Sequence, residues 1–263
     1  MPDDRVVLLH GFLGNAASFD EVLSLLQPEC ESLRPALYGH RGYPELEPAH
    51  DFESEVNRLA ALIEPYAGTT RVHLAGYSLG ARLALALLVR SPQLFHSATL
   101  VSGRRGLDSP VEREQRLAAD QLWAAQLRSQ PLEQFLRNWE KQPLFAPMQR
   151  VAPETLARLR IGRLRHISEA LARAIDALSL ARMPNLLCDV GAIEVPVTLL
   201  AGGLDSKFVE LGKELASRLP KSNFIVVDGA GHSLLVERPD AVAAAIREGW
   251  IHAHCYLENS PNL

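Results

Sequence analysis

The sequence predicts a doubly wound, mostly parallel α/β sheet with a helical cap inserted into it. Three observations carry that expectation. Short apolar runs rich in Val, Leu or Ile recur along the chain, each with Gly, Asp, Ser or Pro close by, as in strands buried on both faces. Longer stretches of helical periodicity separate them, and such alternation builds a parallel sheet. Between about Gly103 and Val195 only helical periodicity remains, and then the strand pattern resumes. The expected division is a first core part over 1–102, a cap over 103–194 and a second core part over 195–263.

Val6–Leu9 is the first strand expected, and a weaker candidate lies around Ser32–Leu37. Phe52–Glu64 is helical, Val72–Ala75 is a strand apolar except for His73, Leu79–Arg90 is an Ala- and Leu-rich helix, and Ala98–Val101 is the next strand. In the cap, Glu112–Arg128 is rich in Ala, Leu, Arg and Gln, Leu132–Lys141 is amphipathic, and Pro153–Ala181 continues in the same style. Pro147, Pro153 and Pro184 punctuate these segments. A separate all-helical domain is the weaker account, because strands return at Val197–Ala201 and Phe224–Val227, with helices over Phe208–Leu219 and Ala241–Trp250. The tail from about Glu258 to Leu263 is expected to be loose.

Composition narrows the function class. A chain of 263 residues, 47% hydrophobic and 22% charged, suits one ordinary globular domain with an inserted subdomain. A net charge of -4 offers no surface built for nucleic acid or acidic membranes, although a local basic pocket for a small anion stays open. Cys30, Cys188 and Cys255 are few, odd in number and far apart, which points to a reducing compartment and incidental thiols. Met1 to Arg5 is polar and the Val6–Leu9 run is too short for a secretory core. No stretch approaches the roughly 20 apolar residues of a membrane span. A cytoplasmic protein is expected, monomeric or weakly self-associating, with no metal and no cofactor.

Gly76-Tyr77-Ser78-Leu79-Gly80 fits Gly-x-Ser-x-Gly. The five residues alone are a weak signal, and an ordinary helix-entry serine would also fit them. Here a strand precedes them and a helix follows, the order needed for a sharp turn that lifts the serine hydroxyl above a sheet. That hydroxyl is a poor nucleophile or base until another group takes its proton. The order in this arrangement is Ser, then an acid, then His. The loop Gly229-Ala230-Gly231-His232 follows the last strand, so His232 is the expected base; His252 and His254 follow the terminal helix and look like surface residues. Asp205 ends Gly202-Gly203-Leu204-Asp205 after the preceding strand and is placed to hold the imidazole tautomer. Asp228 is the runner-up, and a helix-capping Asp205 is the bland alternative. Two backbone N–H groups should form an oxyanion hole, from Leu79 and from Phe12 in the loop His10-Gly11-Phe12-Leu13-Gly14. His10 reads as structural.

This layout resembles the α/β-hydrolase superfamily, with its leading strands missing or shortened. The pieces Ser78-Leu79-Gly80-Ala81-Arg82, Asp120-Gln121-Leu122-Trp123, Trp139-Glu140-Lys141-Gln142-Pro143-Leu144-Phe145-Ala146, Asp205-Ser206-Lys207-Phe208 and Gly231-His232 narrow the match. They are similar to the 2-succinyl-6-hydroxy-2,4-cyclohexadiene-1-carboxylate synthases of menaquinone biosynthesis, over nearly the whole chain. The resemblance implies a lyase that eliminates pyruvate from 2-succinyl-5-enolpyruvyl-6-hydroxy-3-cyclohexene-1-carboxylate, with the triad acting as a base. It implies that Arg82 and Arg163 bind this small anionic polycarboxylate, and Tyr77 and Trp139 are candidates for lining the pocket. For both arginines, and for Trp139, a purely structural role is the alternative. The chain departs from that pattern at Ala118, where the family places an arginine and Arg113 and Arg116 stand nearby; at Leu164-Arg165-His166-Ile167, in place of an Asn-rich stretch; and at Tyr38-Gly39-His40-Arg41-Gly42. A serine carboxylesterase or thioesterase acting on small acyl substrates is the competing reading, and a non-catalytic binding protein a poorer third.

Overall fold

A computed structural model describes residues 5–26, 30–44 and 50–258, with side chains to residue 250. Six strands form one parallel sheet in the order β2-β1-β3-β4-β5-β6: β1 Val6–Leu9, β2 Ser32–Leu33, β3 Val72–Tyr77, β4 Phe95–Val101, β5 Val197–Gly202 and β6 Ser222–Val227. The weak strand candidate at Ser32–Leu37 shrinks to two residues. Beyond them Leu37 and Tyr38 turn into the core, and Tyr38 N–H bonds the buried Glu55 carboxylate at 3.0 Å instead of a neighbouring strand.

Both faces of the sheet are covered, which is why the strands read as continuous apolar runs. Val7 and Leu9 of β1 belong to one buried cluster and Val6 and Leu8 to another, the two-residue alternation of a pleated strand. The first cluster takes in α2 (Phe52–Ala67), α3 (Leu79–Arg90) and α8 (Ser206–Ala216). The second takes in α1 (Asp20–Leu25), α9 (Leu234–Glu237) and α10 (Pro239–Glu258). The tail expected to be loose lies, beyond Glu258, outside the described residues, as do the side chains of His252, His254 and Cys255.

Between β4 and β5 stand α4 (Pro110–Ser129), α5 (Leu132–Trp139), α6 (Pro153–Arg163) and α7 (Ser168–Leu178). A capping box of Ser109 and Glu112, with Pro110 in the first turn, starts α4. A third cluster of Ala124, Leu127, Phe135, Leu136, Leu171 and Ile175 closes over Leu13, from the loop after β1. Residues from Ala177 to Val195 already pack on the main core. The helical stretch expected over Pro153–Ala181 is two helices, broken at 164–167. There His166 turns inward, buried, while its neighbour Ile167 stays exposed. Among the described residues, no helix is long and apolar enough to cross a membrane.

Candidate active site

Ser78 sits where β3 gives way to α3, with φ 52° and ψ -105°. A positive φ is uncommon outside glycine, and here the surrounding contacts hold it. Ser78 N–H donates to the Val101 carbonyl at 2.9 Å, and Arg82 N–H to the Ser78 carbonyl at 3.1 Å. A Cβ on Gly76 would strike the Gly80 backbone, and one on Gly80 the carbonyls of Leu9 and His10. The flanking glycines are therefore what lets strand and helix approach closely enough to expose the hydroxyl.

The histidine loop crosses the end of β5. A Cβ on Gly202 would collide with the carbonyls of Ala230 and Gly231, so this glycine admits the loop. His232 is buried. Its Nδ1 lies 2.9 Å from Asp205 Oδ2 and its Nε2 lies 3.1 Å from Ser78 Oγ. A proton on Nδ1 donated to the carboxylate leaves Nε2 free to accept from the hydroxyl. Asp205 combines the two roles the sequence left open: its Oδ1 also accepts from Phe208 N–H at 3.3 Å, capping α8. Asp228 is exposed in the turn after β6.

Two residues that sequence reasoning missed hold the loop. Glu237 accepts from Gly231 N–H at 2.6 Å and from Ser233 N–H at 3.0 Å, gripping the backbone on both sides of His232. Ser102, itself at φ 50°, donates to the His232 carbonyl at 3.2 Å. A carboxylate five residues beyond a loop histidine, at the first turn of a short helix, was the only trace of Glu237 in the sequence.

Ser78 opens into a cavity of about 600 Å³ between the sheet and the cap. Phe12, Leu79, Tyr77 and Trp139 all line it, as do Arg82, Arg104, Arg116, Arg163 and Lys207. Trp139 has a double position: its ring lies 5.1 Å from Phe12 and 5.0 Å from Trp123, so it packs the cap and faces the cavity at once. Tyr77 lies 5.6 Å from the His232 ring, and burial raises its pKa to about 12. Neither Cys30 nor Cys188 lines this cavity.

The cations are not equivalent. Arg82 Nη1 is buried with no hydrogen-bond partner, and burial, with Arg116 nearby, lowers its pKa to about 9. It keeps its charge at neutral pH and makes no ion pair among the described residues, although Asp120 is near enough to offset part of the effect. Arg163 donates to Glu140 at 3.1 Å while its Nε is buried and unpartnered, and burial lowers its pKa. Arg116 is held by both oxygens of the buried Asp120 at 2.9 Å, and Ser179 Oγ donates to the same carboxylate at 2.7 Å. Sequence reasoning set Arg113 and Arg116 side by side near Ala118. The fold separates them: Arg116 faces the cavity, whereas Arg113 donates to the carbonyls of Leu107, Ala181 and Met183. Arg104, just after β4, is a further cation that the linear pattern did not single out.

A relay from acid to imidazole to hydroxyl, at the strand-to-helix turn of a parallel sheet, is the arrangement of one large class of enzymes. The chain belongs to the alpha/beta hydrolase family, whose model matches residues 6–245. Its relatives narrow the class. A 2-succinyl-6-hydroxy-2,4-cyclohexadiene-1-carboxylate synthase of Serratia proteamaculans (strain 568) is 32% identical over 243 residues, covering 92% of this chain and 91% of that protein. Among solved structures, MenH from S. aureus is similar with a TM-score of 0.89 and 25% identity, over 97% of this chain and 96% of that one. A malate-bound thermophilic esterase from Thermogutta terrifontis is similar with a TM-score of 0.79 and 26% identity, over 95% and 90%.

Proposed function

We propose that the chain converts 2-succinyl-5-enolpyruvyl-6-hydroxy-3-cyclohexene-1-carboxylate to 2-succinyl-6-hydroxy-2,4-cyclohexadiene-1-carboxylate and pyruvate. Besides the relatives, the observation that carries this reading is the buried, unpartnered Nη1 of the Arg82 guanidinium in the cavity where Ser78 opens. Such a charge is costly to hold without an anion. The substrate brings three carboxylates, and the planar fork of an arginine pairs two oxygens at once. We assign Arg82 and Arg163 to substrate binding, and Tyr77 and Trp139 to the pocket wall.

The chemistry follows from the two ring systems. His232, held by Asp205, takes the Ser78 proton, and Ser78 Oγ takes the proton from ring carbon 2, next to the succinyl carbonyl. The freed electron pair forms an enolate, whose oxygen accepts from the Phe12 N–H of the loop after β1 and from the Leu79 N–H at the positive end of α3. On collapse the 3,4 double bond becomes a 2,4 diene, and the bond from carbon 5 to the enolpyruvyl oxygen breaks. Enolpyruvate leaves, takes up the proton and becomes pyruvate. No acyl-enzyme is required. A small anionic polycarboxylate is thus the partner, and the cytoplasm the expected place of action.

The same relay and oxyanion hole would serve an ester hydrolase, and the similarity to the Thermogutta terrifontis esterase favours that second reading. Purified protein offered the cyclohexene substrate and, separately, p-nitrophenyl esters separates the two. Rapid pyruvate release with negligible ester turnover supports the elimination. Fast ester cleavage without pyruvate would end it.

A further inference from the structure

Three buried histidines surround the loop that carries Phe12, and the backbone groups they meet fix the tautomer of each. Leu37 N–H donates to His10 Nε2 at 3.2 Å, so His10 Nδ1–H donates to the Gly11 carbonyl at 2.8 Å. Leu13 N–H donates to His40 Nε2 at 3.2 Å, so His40 Nδ1–H donates to the Tyr38 carbonyl at 3.0 Å. Arg41 N–H donates to His166 Nδ1 at 3.0 Å, so His166 Nε2–H donates to the Leu13 carbonyl at 3.2 Å. Every ring accepts once and donates once, and all three are neutral. Burial lowers the pKa of each, to about 4 for His10. The rings of His40 and His166 meet edge to face at 5.5 Å, and Phe12 packs on His40 at 5.6 Å.

Two of the three histidines, His40 and His166, bond one unusual residue. Leu13 has φ 63°, a conformation a leucine adopts only when its surroundings impose it. His40 holds the peptide before it and His166 the peptide after it. His166 is the member that comes from the cap, in the break between α6 and α7, three residues beyond Arg163. One short turn therefore brings a cation to the cavity and grips the backbone beside Phe12. Sequence reasoning met His166 only as a departure from a pattern.

We propose that His166 is a positioning residue that fixes the left-handed Leu13, and through it the Phe12 N–H, so that the oxyanion hole is complete only when the cap is seated. The inference rests on Phe12 as an oxyanion donor, not on the identity of the substrate. It predicts that the paired acceptor and donor matter, rather than the bulk of the ring. Glutamine offers both on one amide, and leucine offers neither.

The test compares wild type, H166Q and H166L. The readout is the rate at which a fluorophosphonate labels Ser78, a step in which the phosphonyl oxygen enters the oxyanion hole and fluoride leaves. Thermal midpoints are measured alongside. H166L should label about 10- to 100-fold more slowly, the scale of a misplaced catalytic group. H166Q should recover most of the rate. Pyruvate release should repeat the pattern in kcat with little change in KM. If H166L does not fold, H166A takes its place. Wild-type labelling by the leucine or alanine variant, or an equal loss in H166Q, would overturn the proposal. If the labelling pattern holds while wild type releases no pyruvate, the elimination reading fails and the role of His166 stands.

Discussion

Ser78 and Arg82 lie one helical turn apart and line the same cavity. The strained backbone of Ser78 presents a hydroxyl 3.1 Å from an imidazole, and Arg82 holds a charge whose Nη1 has no hydrogen-bond partner. Replacing Ser78 with Ala should lower turnover by roughly 10⁴- to 10⁶-fold, since members of such a relay act as a unit; a loss below tenfold in steady-state pyruvate release would remove Ser78 from the chemistry. Arg82→Ala should lower kcat/KM for the polycarboxylate by about 10- to 100-fold, the worth of a charge-assisted hydrogen bond, and spare neutral esters. Equal losses on both substrates would make Arg82 structural. The relay was legible in the sequence because each member follows a strand and chain order fixes its role. Arg104, Arg116, Ser102 and Glu237 were not. Ser102 meets His232 from a distant element. Arg104, Arg116 and Glu237 bond locally, to Gly106, Asp120 and the loop before α9, but only the fold decides which of these side chains faces the cavity or the histidine loop.

At the scale of elements, the site depends on close crossings that the sequence marks only with glycines. Leu79–Arg90 was read to the residue because Gly80 and the Ala-Leu pattern bracket it. Over Pro153–Ala181 the sequence shows a helical style throughout and sets Arg163 before the last cap helix, but its periodicity carries no breaker that fixes the break at 164–167; the inward turn of His166 is a tertiary demand. The short helix α9 supplies the grip of Glu237 on the histidine loop. Glu237→Gln would place an amide N–H against one of two backbone donors and leave that donor unmet. A buried unmet donor costs about 1–3 kcal/mol, so kcat should fall about tenfold or more with KM nearly unchanged. An unaltered kcat would show that the loop holds itself.

For the whole molecule, buried neutral histidines set the acid limit of stability. His10, His40, His73 and His166 all have pKa values lowered by burial. Above pH 6.5 they are neutral folded and unfolded, and the full stability is present. As the pH falls below that value, the unfolded chain takes up protons that the folded chain refuses. For His10, with a pKa lowered to about 4, the loss accumulates to about 3 kcal/mol by that pH. The urea midpoint should therefore be clearly lower at pH 5 than at pH 7.5, and equal midpoints would contradict the assigned tautomers. The fold itself was legible from alternation alone, because a sheet covered on both faces writes its strands as apolar runs. The central claim, that Ser78 and His232 remove a ring proton rather than form an acyl-enzyme, has one direct test. Pyruvate release is measured from the cyclohexene substrate carrying deuterium at ring carbon 2. Pyruvate should form, more slowly from the deuterated compound whenever proton removal limits kcat/KM, with no adduct on Ser78 by intact-mass spectrometry. A covalent acyl adduct that accumulates in turnover, or retention of the deuterium in the diene product, would contradict it.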